Sequence, residues 1–383
     1  MRTEGDAAGK ILVLMADERE QVRMIISGGG TGGHLFPGIA VAEGVLRRFP
    51  GAEMLFVGTE RQTDARVLAN RSFDVTSISC LGLKGKGGLA RLKALVRLPF
   101  SLLQALSIMK RFRPALVLGV GGYVTGPVLL AAKLKGIATC IHEQNSVPGM
   151  ANRALGKFVD RVFLSMPGSE QYFLVGKRVL TGNPVRGELL RLAELRKKEN
   201  ADNLTLLVLG GSLGARRVNS LVTEALAAMK EDLPKGFRVI HQTGSHDEEQ
   251  VRKRYEKDGI SCKVSAFFTD MVAVYAKADL VVSRAGATSL AEMTVLGKPM
   301  ILIPYPYAAD NHQEKNGRWL VNGGAARMLV EKDLSAEQLK EEIKELLASA
   351  EKRKGMAKAA RQIGRSDATD RIVDECLLLM KRS

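Results

Sequence analysis

A chain of 383 residues is long for a single core and suits two domains. With 45% hydrophobic and 26% charged residues it has the composition of a globular protein, and 5% aromatics exclude broad base-stacking surfaces. The net charge of +16, from 57 basic and 41 acidic residues, would draw the chain to polyanions or serve solubility alone, and does not choose among phosphorylated substrate, anionic lipid and nucleic acid.

In chain order, residues 1–21 read as an extension, because the apolar run Ile11–Met15 is too short for a signal peptide and acids follow it. Strands are expected at Met24–Ser27, Glu53–Val57, Ala115–Gly119 and Ile137–Ile141, all short apolar runs. Helices are expected at Pro37–Phe49 and Gly126–Lys135. The segment Leu81–Arg113 carries Lys84, Lys86, Arg91, Lys93, Arg97, Lys110, Arg111 and Arg113 without a single acid, interleaved with leucines and Phe100. Such a basic amphipathic stretch suits an anionic membrane surface, with part of its apolar set in the core. The uncharged stretch Ala115–Ala132 holds four glycines and Pro127, so a strand, a loop and a helix explain it better than a spanning helix.

A second series follows. It has strands at Leu204–Leu209, Phe237–His241, Asp279–Ser283 and Met300–Ile303, and helices at Ala215–Met229, Thr288–Leu296, Asn311–Val321 and Ser335–Ala348. The alternation argues for doubly wound α/β domains. The expected divisions are a first α/β domain at 22–190, a linker at 191–203, a second α/β domain at 204–365 and a last helix within 366–383. That helix, Asp370–Lys381, has an apolar stripe but no assigned domain. Cys80, Cys140, Cys262 and Cys376 form no CxxC pair, so neither a disulfide framework nor a zinc site is expected.

Three glycine loops punctuate the strand ends: GGGTGGH (28–34), GVGGYVTGP (119–127) and GGSLGAR (210–216). Each lies between a strand and a helix, where glycine allows close approach and the helix start offers N–H groups to an anion. Glycines needed only for tight turns are the alternative. Residues 28–33 fit G-x-G-x-x-G, yet the acid that a dinucleotide site needs about 20 residues later is poorly met, since the second strand ends Val57-Gly58-Thr59. There is no phosphate-binding G-x-x-x-x-G-K-[ST] and no Asp-x-Asp pair for a metal-held diphosphate.

These loops occur with HEQNSVPG (142–149), TGNPVR (181–186), SRAGATSLAE (283–292) and DNHQEKN (310–316). In this order the set resembles the MurG family, UDP-N-acetylglucosamine:lipid I N-acetylglucosaminyltransferases, from Met24 to about Val330. The resemblance implies an α/β GT-B fold, two Rossmann-like doubly wound domains with a cleft between them. It implies UDP-N-acetylglucosamine and lipid I as partners, no metal or other cofactor, no nucleic acid, and a peripheral place on the cytoplasmic face of the cell membrane.

The resemblance also distributes roles. Thr31, Gly32 and Gly33 would line the donor site with Asn145, which orients the donor sugar or the acceptor hydroxyl. Ala287, Thr288 and Ser289 would meet the diphosphate at a helix start, and Ser212 would bond a phosphate oxygen. Glu292, on the first turn of that helix, would accept the ribose hydroxyls, and Arg186 would reach the ribose or phosphate. The Phe268 backbone would read the uracil edge, and Gln313 would hold sugar hydroxyls. An inverting displacement needs a base for the acceptor hydroxyl; His34, at a helix start, and Glu143 compete for that role. A GT-B-like UDP-N-acetylglucosamine 2-epimerase, a nucleic-acid binder and a dinucleotide oxidoreductase are the other readings. The basic apolar stretch, the lack of aromatic platforms and the missing acid count against them in turn.

Overall fold

The computed structural model describes residues 22–30, 32–60, 68, 72–80, 88–195, 203–211 and 214–381, with residues 88–96 as backbone only. The extension 1–21, Thr31, Ser212, Lys84 and Lys86 therefore lie outside the described residues.

The N-terminal domain contains β1 (Arg23–Gly28), α1 (Gly32–Arg48), β2 (Glu53–Gly58), β3 (Asp74–Ser77), α2 (Gly88–Phe112), β4 (Leu116–Gly121), α3 (Thr125–Leu134), β5 (Ala138–Glu143), α4 (Met150–Leu155), β6 (Arg161–Leu164) and β7 (Arg178–Leu180). The C-terminal domain follows with α5 (Gly187–Glu194), β8 (Thr205–Leu209), α6 (Arg216–Ala228), β9 (Arg238–Gln242), α7 (Glu248–Lys257), β10 (Cys262–Ser265), α8 (Met271–Lys277), β11 (Leu280–Ser283), α9 (Ala287–Val295), β12 (Met300–Leu302), α10 (His312–Asn322), β13 (Ala326–Met328), α11 (Ala336–Ala348) and α12 (Ala350–Ile363). The last helix is α13 (Ala368–Met380).

The sheets run β3-β2-β1-β4-β5-β6-β7 and β10-β9-β8-β11-β12-β13. Their ladders are parallel, as in β1 with β4 and β8 with β11. Every residue of β4, β5, β8 and β11 is buried, which is why these strands read as unbroken apolar runs. In both sheets the strand order reverses between the first and fourth strands. Ligands of open α/β sheets bind outside the carboxyl ends at that switch point, and the loops after β1, β4, β8 and β11 meet there.

The expected elements recur with shifted ends. The largest shift is in α1, which starts at Gly32 and carries Pro37 inside the helix. A proline has no N–H for the carbonyl four residues back. That carbonyl, on Gly33, accepts instead from the Thr288 hydroxyl of the other domain at 2.9 Å.

The chain crosses between domains earlier than the expected linker. Val185 and Leu189 already belong to the C-terminal core beside Phe268, Tyr275 and Met293, and α5 runs through residues 191–194. Crossing back, α13 packs Ile372, Val373, Cys376 and Leu377 against Met24, Leu35, Val45 and Phe56 of the N-terminal core. A Cβ on Gly44 would lie 2.5 Å from Thr369, so the helix pair closes only on a glycine. Arg47–Asp370 at 3.0 Å and Arg161–Glu375 at 3.1 Å fasten its polar side.

Candidate active site

Between the domains lies a cavity of about 960 Å³. Gly32, Gly33, His34, Phe36, Gln144 and Asn145 line it from the N-terminal side. Arg186, Gln242, Phe268, Tyr275, Ala287, Thr288, Ser289, Glu292 and Gln313 face them.

His34 sits in the first turn of α1, with Nδ1 3.2 Å from Gln144 Oε1. The second glycine loop makes room for the ring. Gly121 has φ +110°, and a Cβ there would fall 2.6 Å from His34 Nδ1. Gly122 likewise admits the Gly29 carbonyl, which a Cβ would approach to 2.4 Å. These glycines are thus required by the packing of one loop on the other, whatever the loops bind.

Glu143, the competing base in the sequence reading, is withdrawn from the cavity. It is 2% exposed, and its carboxylate accepts from Asn145 N (2.9 Å), Asn145 Nδ2 (3.2 Å), Gly149 N (3.2 Å) and Asn152 Nδ2 (2.8 Å). Burial pushes its carboxyl up, against those four bonds. Those bonds fold the 143–152 loop, and Glu143 does not line the cavity. Asn145 does line the cavity, with its amide tied at both ends. Nδ2 donates to Glu143, and Oδ1 accepts from Asn316 Nδ2 at 3.2 Å. The wholly buried Asn316 of α10 also accepts from Ser146 N and Oγ at 3.0 and 2.9 Å, joining this loop to the C-terminal domain.

On the nucleotide side, α9 begins at Ala287 without a side-chain cap, and neither α1 nor α9 has an acid in its first turn. Two helix N-termini therefore present N–H groups and partial positive charge to the cavity. Glu292 is the sixth residue of α9 and falls on its second turn, not the first. Its Oε1 accepts from Arg186 Nη2 at 3.0 Å and Nε at 3.3 Å, and its Oε2 from the Tyr275 hydroxyl at 3.1 Å. Burial raises the Glu292 pKa, and Arg186 opposes that rise. Arg186 thus acts on the carboxylate. It also stacks over Phe36 of α1, 4.7 Å from the ring centroid, so one guanidinium spans the domains.

Phe268 lines the cavity, and its N–H donates to Gln242 Oε1 at 3.0 Å, so of its backbone groups the carbonyl is left to meet a ligand. Gln313 accepts from Tyr305 N at 3.0 Å and so presents its amide nitrogen. Phe36, Gln144, Gln242, Tyr275 and Asn316 had no role assigned from sequence. Gln144 and Asn316 lay within quoted motifs, but Gln242 and Tyr275 carried no local signal.

Facing parallel sheets of order 3-2-1-4-5-6, opposed helix N-termini and a cavity at both switch points define the GT-B class of glycosyltransferase folds. Residues 24–164 match the glycosyltransferase family 28 N-terminal domain, and residues 205–372 match its C-terminal domain. The UDP-N-acetylglucosamine–N-acetylmuramyl-(pentapeptide) pyrophosphoryl-undecaprenol N-acetylglucosamine transferase of Desulfotalea psychrophila is 51% identical over 95% of this chain and 99% of its own. The Geobacter sulfurreducens protein of the same name is 47% identical over 92% of this chain and 98% of its own. The crystal structure of Acinetobacter baumannii MurG superposes with a TM-score of 0.73 at 29% identity, over 93% of this chain and 99% of that one. The chain belongs to glycosyltransferase family 28 and, within it, to the MurG family. A putative UDP-N-acetylglucosamine 2-epimerase from Listeria monocytogenes, at 15% identity and a TM-score of 0.68, shares the fold alone.

Proposed function

We propose that this protein transfers N-acetylglucosamine from UDP-N-acetylglucosamine to the C4 hydroxyl of N-acetylmuramic acid in lipid I, inverting C1 and forming lipid II. The observation that carries this reading is one cavity uniting an imidazole on the N-terminal wall with a capless helix N-terminus and a clamped carboxylate on the other. The α9 start, at Ala287, Thr288 and Ser289, holds the diphosphate and stabilises the charge that develops as UDP leaves. Glu292 takes ribose hydroxyl. Gln313 holds sugar hydroxyls, and Asn145 orients the reacting groups. His34 accepts the proton of the acceptor hydroxyl. Thr31, Gly32, Gly33 and Ser212 complete the donor site through the glycine loops.

The acceptor is lipid-linked, and the N-terminal domain carries the surface suited to it. Among the described residues no helix is long and apolar enough to cross a membrane. On the packed pair α2 and α3, Leu98, Phe100, Leu103, Leu130 and Leu134 are exposed, Leu103 and Leu134 by more than 60%. Arg97, Lys110, Arg111, Arg113 and Lys135 accompany them. Apolar anchors among cations suit an anionic lipid surface, each cation contributing about 1 kcal/mol. This reading places the protein peripherally, on the cytoplasmic face of the cell membrane.

The test is UDP release from UDP-N-acetylglucosamine with and without a lipid I analogue, in EDTA. Release that requires the analogue and survives EDTA is expected. Release without acceptor would mean an epimerase or a hydrolase, and none at all would overturn the substrate assignment.

A further inference from the structure

A histidine serves as base only if the nitrogen facing the substrate carries the lone pair, and a neighbouring hydrogen bond decides which nitrogen that is. Here the neighbour is Gln144, on the turn after β5 and 2% exposed. Its Nε2 donates to the Val120 carbonyl at 2.8 Å, and its second hydrogen meets His142 Nδ1 at 3.2 Å. The other nitrogen of His142, Nε2, lies 2.8 Å from Ser165 Oγ, and burial holds His142 neutral by lowering its pKa to about 3. A carbonyl oxygen can only accept, so the amide nitrogen must face Val120 and Oε1 must face His34. Oε1 also only accepts, so the ring nitrogen 3.2 Å away, Nδ1, carries the hydrogen. A neutral imidazole has one N–H, which leaves the lone pair on Nε2.

We propose that Gln144 is a positioning residue that holds His34 as the Nδ1–H tautomer and so makes Nε2 the proton acceptor, with the Val120 carbonyl and His142 fixing the amide. The inference rests on the reading of His34 as the base. In the transfer, Nε2 takes the proton of the C4 hydroxyl as its oxygen bonds to C1. The bond from C1 to the diphosphate oxygen breaks, and its electron pair leaves with UDP. Nδ1–H stays on Oε1 throughout, so the same contact supports the imidazolium that forms. Among the described residues, the Arg186–Glu292 pair and His312 of α10 share the cavity with this ring, and His142 lies behind the amide.

The test compares the full-length wild type with His34→Ala, Gln144→Leu and Gln144→Glu, measuring kcat and donor KM with a lipid I analogue across about pH 6 to 9. Gln144→Leu is expected to lower kcat by about 10- to 100-fold, part of what a positioned base contributes, with donor KM within about twofold. Gln144→Glu places a negative charge on Nδ1–H and moves the acid limb of kcat to higher pH, a shift that a merely structural role would not produce. In parallel, ¹⁵N NMR of the wild type, with the His34 signals assigned by their loss in His34→Ala, should show Nδ1 protonated and Nε2 bare. That measurement decides the proposal even if a Gln144 variant fails to fold. An Nε2–H tautomer in the wild type, or an unmoved kcat and acid limb in both Gln144 variants while His34→Ala is inactive, would overturn it. An active His34→Ala would instead sink the base assignment on which it rests.

Discussion

Glu292 offers a prediction whose size follows from counting its acceptor sites. A carboxylate has about four lone-pair sites. Arg186 Nη2 and Nε and the Tyr275 hydroxyl occupy three of them. One ribose hydroxyl can therefore bind Oε2 directly, while a second must displace a protein donor, the 3.3 Å Nε contact being the weakest. Glu292→Gln keeps the shape but removes the charge, turning a charge-assisted bond into a neutral one at a loss of about 1–2 kcal/mol. The donor KM should rise about 5- to 30-fold with kcat little changed, as measured by steady-state kinetics with a lipid I analogue and by calorimetric titration of UDP. Tyr275→Phe frees an acceptor site, so it should not raise KM. Glu292→Ala differs in kind. It leaves the Arg186 guanidinium buried with only the half-exposed Glu188, 3.2 Å away. Loss of a buried partner costs about 3–5 kcal/mol, and the Tm should fall by about 6–12 °C. An unchanged KM in Glu292→Gln would remove the ribose role, and a Tyr275→Phe defect as large as that of Glu292→Gln would refute the count.

Gly121→Ala would force a Cβ to 2.6 Å from His34 Nδ1 at a φ of +110°. It should cut kcat by about a hundredfold with donor KM unchanged, and wild-type kinetics would show that the ring tolerates displacement. Two buried histidines, His142 and His241, have their pKa values lowered to about 3 by burial. Both stay neutral in the fold while the unfolded chain takes up protons, so stability is intact above pH 6.5, falls below it and levels near 3. Each should remove about 2 kcal/mol by about pH 5. Urea unfolding should therefore show the wild-type advantage over His241→Gln shrinking by about that amount between about pH 7.5 and about pH 5. Replacing Phe100 or Leu103 with serine should weaken flotation on anionic vesicles by about tenfold each and spare activity on a water-soluble acceptor. Unaltered flotation would place the membrane contact elsewhere.

Much of the molecule was legible before any coordinate. The unbroken apolar runs at Met24–Ser27 and Leu204–Leu209 announced strands buried on both faces, because burial on two sides leaves no polar alternation. The glycines at 28–33, 119–122 and 210–214 marked the strand ends where a cavity opens, because backbone turns and close approaches act through their own residues. His34, Asn145, Thr288 and Glu292 were placed at the cleft by such local context together with the family pattern. The purpose of particular groups was not legible. Nothing near Gly121 foretold that His34 needs its missing Cβ, and nothing near Arg186 told that it clamps Glu292. His34 and Gln144 stand 110 residues apart, and Arg186 and Glu292 stand 106 apart. Hydropathy and helical periods carry only a few residues' range, whereas these pairs exist because the strand order brings distant loops to one edge. The stripe on α13 declared that the helix packs, and only its fit against Gly44 and the N-terminal core decided where. Secondary structure, loop positions and family were therefore determined by the chain's own residues. The clamp on Glu292 and the tautomer of His34 were decided by tertiary structure, because each depends on donors and acceptors that only folding brings within 3.5 Å.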